Sequence, residues 1–181
     1  METDSPVRLR VPTADDMHAV GRDLARLVRP GDLVILLGEL GAGKTQLVQG
    51  IGEGLGVRPP IVSPSFVIVR NHPSLVGGPE LVHVDTYRLT SRDEIEDLDL
   101  EAQMPTAVTV VEWGRGFVEQ LSDDRLEVAI ERSEDPLDDT RLVEVRPVGE
   151  RWEALLESWE IVVNQAMGRD ARADAEGDSV V

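Results

Sequence analysis

The stretch from Leu33 to Gly56, LVILLGELGAGKTQLVQGIGEGLG, restricts the possible folds more than any other part of the chain. Five apolar residues, Leu33 to Leu37, lead into a glycine-rich turn and then a helix-like run. A short, wholly apolar run flanked by glycines predicts a strand buried on both faces, and so a parallel sheet. The turn, Gly38-Glu39-Leu40-Gly41-Ala42-Gly43-Lys44-Thr45, matches G-x-x-x-x-G-K-[ST] in full, between the strand and the helix that this pattern requires. Glycines let the backbone wrap so that successive N–H groups point inward, and the helix N-terminus adds partial positive charge. The segment Gly38 to Gln46 is therefore read as a nucleotide-phosphate cradle, a P-loop. Lys44 is the only lysine beside seventeen arginines. Its compact ammonium suits the β- and γ-phosphates, where the planar fork of arginine would be too bulky. Thr45 would give its hydroxyl to Mg²⁺.

Around this unit, strand-like and helix-like runs alternate. VRLRVP predicts a short first strand, and Thr13 with Asp16 has the spacing of a capping box before an apolar stripe at Val20, Leu24, Leu27 and Val28. The P-loop helix is expected to run from Lys44 to Leu55 and to stop at Gly56 and the Pro59-Pro60 pair. FVIVR (66–70) and LVHVD (81–85) read as strands, and AVTVVEW (107–113) as another buried one. Ser91 with Glu94 opens an acidic helix, SRDEIEDLDLEAQM. RLEVAI and RLVEVRP read as later antiparallel strands, and RWEALLESWEIVVNQAM as a closing amphipathic helix. The expectation is an α/β, P-loop-NTPase-like three-layer fold, its sheet mainly parallel with some antiparallel strands. Residues 1–167 would form one domain and 168–181 a loose tail.

Composition narrows the chemistry. With no cysteine among 181 residues, there is no disulfide framework, thiolate nucleophile or thiolate metal site. No apolar run reaches the roughly 18 residues of a membrane span, and the N-terminus does not read as a signal peptide, so a cytoplasmic protein is expected. The net charge of −17, from 18 basic and 35 acidic residues, repels phosphate backbones and argues against direct binding of DNA or RNA.

A guanine-reading Asn-Lys-x-Asp motif is impossible where Lys44 is the sole lysine, so ATP is favoured over GTP. Two carboxylates end strand-like runs, Asp85 in LVHVD and Glu112 in AVTVVE, and strand ends face the ligand crevice of such sheets. Glu112 could bind Mg²⁺, or orient or deprotonate an attacking water; Asp85 reads either as a metal-site carboxylate or as a turn residue. SPSF, Ser63 to Phe66, lies where a γ-phosphate-sensing loop is placed, with Ser63 and Ser65 as its hydroxyls, or is a simple turn. Trp113 reads as a stacking residue or a core residue, and His83 as structural.

Taken together, GELGAGKT, SPSF, HVDTYRL and VEW resemble the TsaE family of bacterial ATPases, whose usual forms are SPTF or SPTY and HxDxYRL. That family serves the threonylcarbamoyl modification of adenosine 37 in tRNA. Order and spacing agree from about Val34 to Trp113. The resemblance implies Mg²⁺-ATP binding, weak hydrolysis by the isolated protein, and action beside TsaB-, TsaD- and TsaC-type proteins, with tRNA reached only indirectly. By position, Thr45 and Glu112 would serve the metal, Asp85 the metal or water, and Thr13 would approach the base. Lys44, Asp85 and Glu112 form the implied catalytic set. Ser65 replaces the usual threonine and Gln46 a common second Thr or Ser. Two other readings use the same cradle: a small-molecule kinase, or a non-hydrolysing ATP-dependent adaptor. No arginine-rich lid follows Asp85, which disfavours the kinase, and Glu112 disfavours the pure switch.

Overall fold

The structure, a computed structural model, describes residues 6–135, 137–156 and 158–159. Seven strands form one sheet: β1 (Val7–Val11), β2 (Leu33–Leu37), β3 (Val69–His72), β4 (Glu80–Asp85), β5 (Ala107–Glu112), β6 (Arg125–Arg132) and β7 (Arg141–Val148). Their spatial order is β1-β7-β6-β2-β5-β4-β3. The inner four, β6-β2-β5-β4, are mutually parallel, while β7 and β3 run antiparallel to their neighbours β6 and β4 and β1 antiparallel to β7. The expected mixed, mainly parallel α/β sheet is therefore present.

Strand β2 shows why the run LVILL is apolar throughout. Val34 and Leu36 join a core on one face, with helices α1 (Ala14–Leu24) and α2 (Lys44–Leu55) and with Trp152, Leu156 and Trp159 of the C-terminal helix. Leu33 and Ile35 join a second core on the other face, beneath α3 (Arg92–Glu96), α4 (Leu100–Gln103) and Val118. A strand covered on both sides has no polar face to alternate with.

Helix α1 starts as its sequence predicts: Thr13 accepts from Asp16 N, and the Asp16 carboxylate accepts from Thr13 N. Helices α1 and α2 lie very close, because a Cβ on Gly50 would strike the carbonyl of His18 and one on Gly21 the carbonyl of Leu47. Backbone rather than side chains therefore sets their separation. Arg151 pins the C-terminal helix to the start of β2 through a part-buried pair with Asp32, its Nε at 3.0 Å from Oδ1.

Three expectations need correction. FVIVR is not a strand over 66–70: the carbonyl of Pro64 accepts from Val67 N and Ile68 N, Ile68 takes φ +70°, and β3 starts only at Val69. The acidic helix is broken, since Asp99 adopts φ +49° and separates α3 from α4. Asn71 and His72, beyond the expected strand, complete β3 by pairing with Val82 and Leu81 of β4. The closing helix is described as far as Trp159, and its predicted remainder and the tail 168–181 lie outside the described residues.

Candidate functional site

The parallel register brings the motifs together. Glu112, the last residue of β5, pairs with Leu36 of β2 on one side and Asp85 of β4 on the other. Both carboxylates thus stand at the C-terminal edge beside the loop that leaves β2, where open α/β sheets hold their ligands. Asp85 and Glu112 are 4% and 3% exposed, a costly burial for two acids unless a cation or donors meet them.

The loop between β2 and α2 has the backbone that its glycines permit. Gly41 and Gly43 have φ +77° and +113°, and a Cβ on Gly38 would lie 2.5 Å from the carbonyl oxygen of Ile130. Lys44 opens α2 and turns back over the loop, donating to the carbonyls of Gly38 at 2.6 Å and Glu39 at 2.9 Å. Burial pulls its pKa below the ordinary lysine value, and the nearby charges of Glu112 and Asp85 oppose that shift. Glu39 and Leu40 project into solvent, so they can contribute only backbone. Thr45 follows at the first turn of α2, on the same helix end as Lys44.

Trp113 departs from its reading as a core residue. It is half-buried at the mouth, not in the core; its ring centroid lies 4.2 Å from Lys44 Nζ and 5.2 Å from the Tyr87 ring. Its φ of +65° is unusual for a bulky residue and holds the indole over the lysine. The SPSF segment is tied to the site: Ser63 Oγ and Ser65 Oγ donate to Asp85 Oδ2 at 3.2 and 2.8 Å, while Tyr87 N donates to Oδ1 at 2.9 Å. Gln49 of α2 anchors the chain just before this segment by donating to the carbonyl of Ile61.

On the other side of the loop, a cleft of about 250 Å³ is lined by Thr13, Met17, Gly41 to Gly43, Gln46, Asp139 and Arg141. Thr13 and Gln46 therefore sit beside the loop as expected, although the Thr13 hydroxyl is already engaged with Asp16. Arg141 and Asp139 were missed by the sequence reading. Arg141 donates from Nε to the carbonyl of Ala42 at 3.2 Å, and only the return of β7 in space brings it there. His83, read as structural, is wholly buried, and its Nε2 lies 2.8 Å from Glu112 Oε1.

The arrangement fits a nucleotide with a magnesium ion. Among the described residues no three His, Asp or Glu side chains form a self-sufficient metal cage. Magnesium needs none, since it takes one or two carboxylates, a hydroxyl, water and phosphate oxygens. The set Thr45, Asp85 and Glu112 offers hard oxygen ligands of that kind, opposite an ammonium.

Fold and loop together define a P-loop protein, with paired strand-end carboxylates facing the lysine. Comparison with known proteins narrows the class. The family model "Threonylcarbamoyl adenosine biosynthesis protein TsaE" matches residues 11–142. The chain is 58% identical over 138 residues to the "tRNA threonylcarbamoyladenosine biosynthesis protein TsaE" of Streptomyces coelicolor, covering 75% of this chain and 93% of that one. It is 36% identical over 152 residues to the Bacillus subtilis protein of the same name, covering 83% and 92%. The crystal structure of Bacillus subtilis YdiB superposes with a TM-score of 0.70 at 31% identity, over 88% of this chain and 97% of that one. The chain belongs to the TsaE family of tRNA threonylcarbamoyladenosine biosynthesis proteins.

Proposed function

We propose that the protein is a Mg²⁺-dependent ATPase of tRNA threonylcarbamoyladenosine synthesis, acting on tRNA only through TsaB- and TsaD-type partners in the cytoplasm. The observation that carries this reading is the juxtaposition of Lys44 with Asp85 and Glu112, adjacent in register at the ends of β4 and β5. The backbone of Gly38 to Thr45 would wrap the phosphates, and Lys44 would move from the carbonyls of Gly38 and Glu39 to the β- and γ-oxygens. Thr45, Asp85 and Glu112 would hold magnesium, which supplies charge neutralisation on the leaving phosphates. Glu112 would also orient the attacking water and accept its proton. Thr13 and Gln46 flank the cleft available to the sugar and base.

The SPSF segment supports a switch. Ser63 and Ser65 share Asp85 Oδ2, so a ligand that claims this oxygen competes with the loop and shifts Phe66 and Val67. The test is ATP hydrolysis with and without magnesium, alone and with a TsaB–TsaD pair, and with GTP as competitor. Slow Mg²⁺-dependent turnover that rises with partners and ignores GTP is expected. Equal competition by GTP, or hydrolysis indifferent to magnesium, would overturn the reading.

A further inference from the structure

We infer that His83 is a positioning residue for Glu112, fixing from inside the sheet which carboxylate oxygen the site receives. The inference rests on the proposed ATPase reading for its purpose, and on the sheet for its geometry. Along β4, Leu81, His83 and Asp85 share one face, and Leu81 belongs to the core beneath α2. Asp85 pairs with Glu112 and His83 with Val110, so His83 lies one diagonal step below the Glu112 side chain. A diagonal neighbour on one face is within reach of a long side chain.

The imidazole is wholly buried and makes one side-chain hydrogen bond among the described residues. Among the described residues its Nδ1 has no partner, and a carboxylate can only accept, so the ring hydrogen is assigned to Nε2, facing Glu112 Oε1. An apolar side chain would fill this core position without the cost of burying a polar ring. The histidine is explained by what it does to Glu112: it compensates the buried carboxylate, stops its rotation and occupies Oε1. Oε2 is left for the reaction side. Preorganised donors and ligands of this kind act because they need no rearrangement when charge develops. Asp85 is held differently, by the backbone after its own strand and by two serines of the SPSF segment. One carboxylate is thus oriented by a loop and the other by the core.

The experiment compares His83→Leu, His83→Gln and His83→Asn in the full chain. The readouts are Mn²⁺ affinity with ADP by electron paramagnetic resonance, ATP affinity, kcat and melting temperature. Loss of a partner that orients a metal ligand typically costs about 10–100-fold in metal affinity or activity. His83→Leu should lose that much in Mn²⁺ affinity and kcat, with ATP affinity changed only a few-fold. His83→Gln, whose amide nitrogen can reach the position of Nε2, should recover most of it, and His83→Asn should not. In a Glu112→Gln background, His83→Leu should cost nothing further. Wild-type values in His83→Leu, equal losses in the Gln and Asn variants, or additive losses in the double variant would each overturn the inference. If His83→Leu does not fold, the contrast between Gln and Asn decides. A wild-type protein without Mg²⁺-dependent hydrolysis would sink the ATPase reading, yet Mn²⁺ affinity would still test His83.

Discussion

Lys44 sits in a space with little room for another cation. Two carbonyls hold its ammonium at 2.6 and 2.9 Å, and the Trp113 ring covers it at 4.2 Å. A guanidinium is planar, wider, and would have to displace the indole or the loop. Lys44→Ala should abolish ATP binding, and Lys44→Arg should fail as well, measured by calorimetry with Mg²⁺-ATP. An Arg variant that binds like wild type would refute the steric account of the only lysine in the chain. Glu112→Gln separates two duties. The amide keeps the size and some hydrogen bonding but cannot take a proton, and general-base contributions are typically about 10²–10⁴-fold. Turnover should therefore fall by that order while ATP affinity changes little; a parallel fall in both would assign Glu112 to metal binding alone.

At the scale of elements, the site depends on how closely α2 approaches α1. Gly50→Ala would raise helix propensity by up to about 1 kcal/mol, yet its Cβ would strike the carbonyl of His18. Overpacking typically costs about 1–3 kcal/mol, so the clash should win. At roughly 2–4 °C per kcal/mol for a chain of this size, the melting temperature should drop by several degrees in a thermal scan. A variant that melts at or above wild type would show that the two helices can separate freely. The same scale decides what could be read from the sequence. The P-loop was legible because strand, loop and helix are contiguous, and Asp85 and Glu112 because each ends an apolar run. The contact of His83 with Glu112 was not, because it spans 29 positions and exists only once β4 and β5 are adjacent. Arg141 was hidden for the same reason, lying 99 positions from Ala42. FVIVR misled because its β-branched residues outvoted the turn that Pro64 begins.

Across the whole molecule, charge and apolar exposure point the same way. Ser91 to Met104 carries six acids and one arginine, and Glu119 to Asp139 nine acids and two arginines. Affinity for a nucleic-acid backbone comes from phosphate neutralisation, and a chain of net charge −17 opposes it. Apolar side chains nevertheless crowd the rim of the site: Leu40 and Phe66 are 83% and 86% exposed, and Val67 and Tyr87 are also exposed. Phe66 and Val67 directly follow Ser65, which donates to Asp85, so under the proposed switch a ligand on Asp85 would displace this surface. Aromatic anchors on a chain this acidic suit a protein partner with an apolar pocket and a basic border. A TsaB–TsaD pair should therefore bind the chain more tightly with an ATP analogue than with ADP, in a calorimetric titration. Phe66→Ser should weaken that docking about fivefold or more, since a buried aromatic anchor is worth over about 1 kcal/mol, while leaving ATP affinity as in wild type. A gel shift with tRNA alone should show no complex, even at low salt where any attraction would be strongest. Docking that ignores the nucleotide, or tight tRNA binding without partners, would remove the role of the SPSF segment as the link between Asp85 and the partner surface.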